Sequence, residues 1–253
     1  MIIKVLASGS KGTCNYLNCN NTNVLIDCGL SYIETKNKLN EINIDIENID
    51  YILLTHTHTD HTKGLQTILN KTKAVLVITE ELLKTVDQKI DIQNYLIIND
   101  DYAFEEFNLK LIHMSHDVLS YGFLIESKGV ELVYITDTGY INRKYFKLLS
   151  NKDIYIVESN HDEKMLMDGP YPRILKERII SDKGHLSNNA TGKFLSNVAG
   201  SNTKFIILAH ISEHNNDKKL ALDTNKEYLK EIGFNVENIL IADQYIALEN
   251  IEV

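Results

Sequence analysis

"THTHTDHTKG" (residues 55–64) places three histidines and one aspartate within six positions of a chain that has nine histidines. The stretch follows "YILLT" (residues 51–55), an apolar run with the length of a buried strand. In extended backbone every second side chain lies on the same side, so His56 and His58 share one side. Asp60 and His61 then fall at a turn that leads into a helix. Imidazole and carboxylate groups in this spacing bind Zn²⁺, Mn²⁺ or Fe, which favours a metal site over a polar surface loop.

Two later strands also end in a residue that can bind a metal. "ELVYIT" runs into Asp137, and "FIILA" runs into His210. His116 lies in a polar turn after a further strand. Taken alone, Asp137 is typical of a turn, and His116 and His210 are typical of structural histidines. Because rigid strands that deliver ligands from their ends preorganise a site, we interpret all three as candidate ligands.

Composition indicates an ordinary globular chain. With 253 residues, 43% hydrophobic and 24% charged, it is predicted to form one domain over residues 1–253. The net charge of −9 argues against a generally basic nucleic-acid binder but leaves room for a local cationic groove. Three cysteines cannot all pair within the chain, which suits a reducing compartment. No apolar run has membrane-spanning length and the opening residues do not resemble a signal peptide, so we expect a cytoplasmic protein without membrane contact.

The remaining pattern alternates short apolar strands with helices. Predicted strands cover residues 2–7, 23–28, 51–55, 74–79, 109–115, 121–127, 131–137, 154–159, 205–210 and 245–253. Predicted helices cover residues 32–42, 142–149, 171–180, 189–198 and 218–232. This mixture predicts an α/β fold in which two sheets pack together and are covered by helices.

These motifs resemble those of the metallo-β-lactamase fold superfamily. "THTHTDH" is similar to its H-x-H-x-D-H signature, and "LIDCG" (residues 25–29) resembles its upstream aspartate motif. His116, Asp137 and His210 follow the order of its later ligands. The resemblance extends over nearly the whole chain and implies a four-layer αββα sandwich with metals at one edge. His210 follows Asp137 by only 73 positions, which is too close for the long β-CASP insert of related nucleases.

Longer motifs are similar to one branch, the YycJ/WalJ family. They are "ASGSKGTCNY" (residues 7–16), "ESNHD" (158–162), "YPRILKERIIS" (171–181), "GHLSN" (184–188) and "LAHISEHNN" (208–216). Thr13 stands where that family commonly has asparagine. The resemblance implies 5′–3′ exonuclease action, with DNA favoured over RNA as the substrate. It also implies two divalent ions, for which Zn²⁺ and Mn²⁺ are the expected metals and Fe also fits the ligands.

The resemblance further implies a role for each motif residue. One metal would be held by His56, His58 and His116, the second by Asp60, His61 and His210, with Asp137 bridging the two. Asp27 would orient a ligand histidine. A hydroxide held between the metals would attack the phosphodiester, and Asp60 would serve as both ligand and hydrogen-bond acceptor.

A second catalytic residue is implied by similarity to the transfer-RNA 3′-processing enzymes of the superfamily. Those enzymes have a glutamate motif followed by G-H-S-T, and Glu158 and His185 match that order. His185 would give a proton to the leaving 3′ oxygen, with Glu158 supporting it. Two other interpretations stay open for His185: a phosphate-binding residue without proton transfer, and an ordinary loop histidine.

Substrate contacts are predicted at two places. Candidate hydrogen-bond donors to phosphate are Ser8, Ser10, Ser187 and Asn188. A dense basic stretch is formed by Arg173, Lys176, Arg178 and Lys183. This stretch fits a groove that follows a nucleic-acid backbone and fits a solvated helix face equally well. The role of His214 and the oligomeric state stay open.

Four alternative functions can be compared with that of a nuclease. Asp137 disfavours a β-lactamase, which usually has cysteine at the bridging position. The ligands alone do not separate a nuclease from a small cyclic phosphodiesterase or a thioester hydrolase. A non-catalytic regulatory module is disfavoured because every ligand position is intact.

Overall fold

The computed structural model describes residues 1–86 and 90–253. The chain divides into two compact units. Unit 1 comprises Met1–Leu111, Glu126–Gly129 and Asp243–Val253, and unit 2 comprises Ile112–Ile125 and Val130–Ala242.

The described strands form two mixed sheets of seven strands each. They are β1 (Ile2–Ala7), β2 (Cys14–Cys19), β3 (Thr22–Ile26), β4 (Tyr51–Leu53), β5 (Val75–Ile78), β6 (Tyr95–Ile97), β7 (Tyr102–Ala103), β8 (Asn108–Met114), β9 (Ser120–Ser127), β10 (Val130–Ile135), β11 (Ile154–Glu158), β12 (Phe205–Ala209), β13 (Ile239–Ile241) and β14 (Ile251–Glu252). The helices are α1 (Tyr32–Asn40), α2 (Thr59–Thr62), α3 (Leu65–Lys71), α4 (Glu80–Leu83), α5 (Phe146–Leu149), α6 (Glu163–Asp168), α7 (Arg173–Ile180), α8 (Asn188–Val198) and α9 (Lys218–Glu231).

The sheet of unit 1 has the order β14-β1-β2-β3-β4-β5-β6. β1 pairs antiparallel with β14 and β2, and β2 pairs antiparallel with β3. From β3 to β6 the strands run parallel. Val24, Leu25 and Ile26 at the end of β3 are all fully buried. Three consecutive buried side chains are typical of a parallel strand that is covered on both faces.

The other sheet has the order β13-β12-β11-β10-β9-β8-β7. Its strands β10, β11, β12 and β13 lie in unit 2 and run parallel. The core of unit 2 packs Tyr155, Val157 and Leu208 from this sheet together with Phe194 and Leu195 from α8. Because β10, β11, β12 and β13 run parallel, their carboxyl ends lie at the same edge of the sheet.

Most predicted elements are present, with shifted ends. The strand predicted at residues 245–253 was wrong in length, because only Ile251–Glu252 forms a strand. β2 was missed because "CNYLNC" does not alternate apolar and polar residues. The single helix expected after the histidine motif is divided into two. The first, α2, begins at Thr59 with His58 at its N-cap, and the second, α3, begins at Leu65. No helix among the described residues combines the length and the apolar character needed to cross a bilayer.

Candidate metal centre

In unit 1, Asp27 anchors the histidine motif. It follows β3, and its backbone adopts the left-handed conformation with φ 62°. Its carboxylate accepts hydrogen bonds from the Thr55 amide (2.9 Å) and the Thr55 hydroxyl (2.9 Å) and lies 2.7 Å from His61 Nδ1. Complete burial raises the pKa of the Asp27 carboxyl, while His61 and Thr55 oppose that rise. Asp27 therefore fixes the ring of His61.

The histidines of the motif lie against one another. The ring of His56 is 4.1 Å from that of His61 and 4.7 Å from that of His58, centroid to centroid. His61 uses Nδ1 for Asp27, so Nε2 is the nitrogen that a metal can use. His56 Nδ1 lies 3.0 Å from the Thr55 hydroxyl, which assigns Nε2 the same role. Asp60 Oδ2 lies 3.8 Å from His61 Nε2. Unit 1 thus brings His56, His58, Asp60 and His61 into one cluster.

We expect Asp27→Asn to lower metal affinity about 10- to 100-fold, as the loss of a partner that orients a metal ligand typically does. The new amide can donate to His61 Nδ1, which would move the imidazole proton to Nε2 and block metal binding there. Competition with a chelator measures the affinity, and circular dichroism checks the fold. Asp45→Asn is the matched control because Asp45 is an exposed N-cap, where asparagine serves equally well. Equal chelator midpoints for Asp27→Asn and wild type would contradict this role.

Gly29 holds the Asp60 loop in place through close backbone packing. A Cβ at Gly29 would lie 1.7 Å from the carbonyl oxygen of Asp60. That oxygen accepts a hydrogen bond of 2.7 Å from the Thr13 amide. Only glycine fits this approach, so the "LIDCG" motif contributes packing as well as its aspartate.

We expect Gly29→Ala to displace the Asp60 loop and to lower the free energy of unfolding by about 1–3 kcal/mol, the usual effect of overpacking. Denaturant unfolding and metal content together measure the two effects. A variant with wild-type stability and a full complement of metal would contradict the packing argument.

In unit 2, three parallel strands deliver candidate ligands to one edge. Asp137 follows β10, Glu158 ends β11 and His210 follows β12. Asp137 (φ 55°) and His210 (φ 50°) share the left-handed backbone seen at Asp27. Asp137 Oδ1 lies 3.5 Å from His210 Nδ1 and 3.7 Å from His185 Nδ1. Ligand atoms of Asp137, Glu158, His185 and His210 all lie within 4.8 Å of one another.

Glu158 organises this edge although it is fully buried. One carboxylate oxygen accepts hydrogen bonds from the amides of Thr138 (2.7 Å) and Leu186 (3.1 Å). The other lies 3.0 Å from His185 Nδ1 and 3.4 Å from His210 Nδ1. Burial alone would raise the pKa of Glu158, but the charge of His185 and the hydrogen bonds from both histidines outweigh it, so that pKa is lowered. A charged Glu158 therefore orients both imidazoles.

His116 is also buried within unit 2. Its Nδ1 lies 3.3 Å from the carbonyl oxygen of Gly184, and its ring centroid is 5.4 Å from that of His185. Burial lowers the pKa of His116, which favours the neutral imidazole that binds metals. Its neighbour Asp117, which sequence analysis missed, lies 3.3 Å from His116 Nε2.

The donor set fits a divalent ion. It consists of imidazole nitrogens and carboxylate oxygens, and partners already hold the Nδ1 atoms of His56, His61 and His210. The contacts of Thr55 and Asn160 were not predicted from the sequence. The Asn160 side-chain amide donates to the His210 carbonyl at 2.9 Å. In the sequence, these two residues are marked only by their position beside the motif residues.

Two of the four predicted phosphate donors have structural partners instead. Ser187 caps α8 through the Ala190 amide and donates to Glu163. Asn188 is 1% exposed, and its amide bonds with buried polar neighbours in unit 2. The structure therefore favours a structural role for Ser187 and Asn188. Ser8 is buried as well, whereas Ser10 is exposed.

The basic stretch lies along α7, a helix without buried residues. Arg173 pairs with Glu177, Arg178 pairs with Asp117, and Lys176 donates to the Met167 carbonyl. Lys183 is exposed. These pairings favour a solvated helix face for Arg173, Lys176 and Arg178. His214 is also exposed, in a turn rather than a helix, with its ring 5.9 Å from Tyr171.

Comparison with known proteins identifies the class. Among solved structures, the metallo-β-lactamase fold protein YhfI of Bacillus subtilis matches with a TM-score of 0.70 at 16% identity, covering 98% of this chain and 99% of that one. Human tRNase Z, short form, matches with a TM-score of 0.66 at 17% identity, with the same coverage. The fold is therefore the metallo-β-lactamase fold, as predicted.

Sequence comparison then identifies the family. The family model described as "Beta-lactamase superfamily domain" matches residues 22–211, and the chain belongs to this family. Exodeoxyribonuclease WalJ of Streptococcus pneumoniae is 34% identical over 92% of this chain and 89% of its own length. Exodeoxyribonuclease YycJ of Bacillus anthracis is 33% identical over 92% of this chain and 90% of its own. The predicted resemblance to YycJ/WalJ is confirmed, and the chain is a metal-dependent hydrolase.

Proposed function

We propose that the chain is a phosphodiesterase with two divalent metal ions that shortens DNA from its 5′ end. The observation that carries the proposal is the buried Glu158, which holds His185 beside Asp137 and His210. This arrangement supports a role for His185 as a proton donor, which the leaving group of a phosphodiester needs and that of a thioester does not. Similarity over most of the chain to two exodeoxyribonucleases supports DNA as the substrate.

The proposed ligands are those that the family motifs mark. They are His56, His58, Asp60 and His61 in unit 1 and His116, Asp137 and His210 in unit 2. When bound, two such ions supply a water of lowered pKa and positive charge for the phosphoryl oxygens. Zn²⁺ and Mn²⁺ both suit this donor set.

The remaining chemistry falls to two side chains. Asp60 accepts a hydrogen bond from the attacking water and so orients it. His185 uses Nδ1 for Glu158, which leaves Nε2 to donate a proton to the leaving 3′ oxygen. The negative charge of Glu158 stabilises the imidazolium that gives this proton. Asp27 keeps His61 in its metal-binding tautomer.

Degradation of 3′-labelled DNA tests the proposal. Single- and double-stranded substrates are incubated with the protein and either Mn²⁺ or Zn²⁺, beside the same sequence as RNA. We expect stepwise shortening from the 5′ end, faster on DNA than on RNA. The ion that gives the higher cleavage rate is the preferred metal. If metal-loaded protein cleaves none of these substrates, the exonuclease proposal is wrong.

A further inference from the structure

A cleft of about 670 Å³ lies within unit 2. One wall is the segment after β10, with Tyr140, Arg143 and Phe146, and the other is α8, with Lys193. The rings of the lining residues Phe146 and Phe194 meet edge to face, with centroids 5.4 Å apart. Its volume is within the range of about 300–1,000 Å³ that is usual for small-ligand sites.

This cleft shares two chain segments with the proposed site in unit 2. Gly139 lines it two positions after Asp137, and Leu186 lines it directly after His185. Glu158 fixes both segments, because one of its oxygens accepts the amides of Thr138 and Leu186. Its other oxygen is the one that lies 3.0 Å from His185 Nδ1. The same carboxylate therefore holds both the cleft lining and the proposed proton donor.

The charge of the cleft is opposite to that of the chain. Arg143 and Lys193 are the charged residues of its lining, whereas the whole chain carries a net charge of −9. Among the residues that the structure describes, neither side chain has a carboxylate partner, in contrast to Arg173 and Arg178. Tyr140 is 43% exposed beside them. Two cations next to an exposed aromatic ring are complementary to a phosphate attached to a base.

We propose that this cleft binds the 5′-terminal nucleotide of the strand that is degraded. Arg143 and Lys193 would bind its 5′-phosphate, and Tyr140 would stack on its base. The inference rests on the proposed function, because it uses the position of the leaving group. The 3′ oxygen that His185 protonates belongs to the nucleotide on the 5′ side of the scissile phosphate. In a 5′–3′ exonuclease that nucleotide is the terminal one.

The products of cleavage are consistent with a subsite that binds a 5′-phosphate. The water oxygen bonds to phosphorus, the bond between phosphorus and the 3′ oxygen breaks, and the proton from His185 goes to that 3′ oxygen. The terminal nucleotide leaves as a nucleoside 5′-monophosphate, and the shortened strand carries a new 5′-phosphate. Each cycle therefore produces the end group that Arg143 and Lys193 bind in the next.

Binding of deoxyadenosine 5′-monophosphate to the metal-loaded protein tests the cleft without turnover. We expect the double variant Arg143→Gln/Lys193→Gln to bind it at least about tenfold more weakly, because each hydrogen bond between charged groups contributes that much or more. Tyr140→Ala should weaken binding about tenfold through loss of one stacking contact. The matched control is Lys219→Gln/Lys230→Gln, an equal loss of charge on α9. Unchanged binding by the cleft variants would overturn the proposal.

Kinetics on DNA with a 5′-phosphate or a 5′-hydroxyl give the second measurement. Wild type should show a KM at least about tenfold lower for the phosphorylated end. In Arg143→Gln/Lys193→Gln the KM values for the two ends should become equal. If DNA is cleaved and the preference survives in the double variant, the cleft proposal is wrong and the exonuclease stands. If no DNA is cleaved, the exonuclease proposal is wrong, and the binding measurement still decides the cleft.

Discussion

Asp60→Ala is expected to abolish DNA cleavage and leave the fold intact. The Asp60 side chain is 21% exposed, and Asp60 is the second residue of the short helix α2. The hydrogen bond from the Thr13 amide to the Asp60 carbonyl involves only backbone atoms and does not depend on that side chain. The variant loses the carboxylate that is proposed to bind a metal and to orient the attacking water. Removing a group with both roles should lower kcat by at least about 10³-fold, which is the upper range for one electrostatic or general-base contact.

Cleavage of labelled DNA, thermal unfolding and metal content measure this variant. Asp223→Ala is the control. Asp223 is a partly exposed aspartate on α9 whose carboxylate pairs with Lys219. We expect Asp223→Ala to cleave DNA at the wild-type rate. Substantial cleavage by folded Asp60→Ala would rule out the role of Asp60.

The second large effect is expected for His185→Ala. Loss of a general acid should lower kcat on DNA by about 10²- to 10⁴-fold. Because His185 is proposed as a proton donor and not as a ligand, its removal should leave the metal content unchanged. Metal content is a strict test of this assignment, because His185 is close enough to bind a metal together with Asp137, Glu158 and His210. The possible ligand atoms of these four residues lie within 4.8 Å of one another.

An aryl phosphodiester separates proton donation from binding. The leaving phenolate of bis(p-nitrophenyl) phosphate departs without a proton, so His185→Ala should hydrolyse it at nearly the wild-type rate. His113→Ala is the matched control, because His113 is exposed on β8. Loss of metal, or an equal loss of rate on both substrates, would show that His185 has another role.

The sequence predicted those parts of the site that are contiguous or that end an apolar strand. His56, His58, Asp60 and His61 lie within one short stretch, and Asp137 and His210 each follow a buried strand. Such residues can be found without coordinates because the strand itself supplies the signal. The clusters that they form in each unit were therefore expected before their geometry was known.

Other parts of the site depend on contacts that no local pattern encodes. Thr55, Asp117 and Asn160 contact histidines that are proposed as ligands, and each is a common polar residue in an ordinary position. The partners of Ser187 and Asn188 come from distant positions in the chain, so their contacts could not be read from the sequence. Glu158 and His185 were found only through resemblance, since 27 positions separate them.

The fold showed the same division. Strands β4 and β5 were predicted because a run of consecutive apolar residues indicates a parallel strand that is covered on both faces. β2 holds its place by pairing with β1 and β3, although its sequence has no strand pattern. The prediction of a single domain over residues 1–253 stays a prediction, as does a cytoplasmic location.

The left-handed backbone at Asp27, Asp137 and His210 has a consequence for engineering. A side chain other than glycine in this conformation costs about 1 kcal/mol or more at each position. Glycine would relieve that strain and would at the same time remove a proposed metal ligand, or the carboxylate that holds one in place. Directed evolution that screens only for heat resistance would therefore drift toward inactive proteins at these three positions. A thermostable version of this enzyme has to be sought with activity in the screen from the first round.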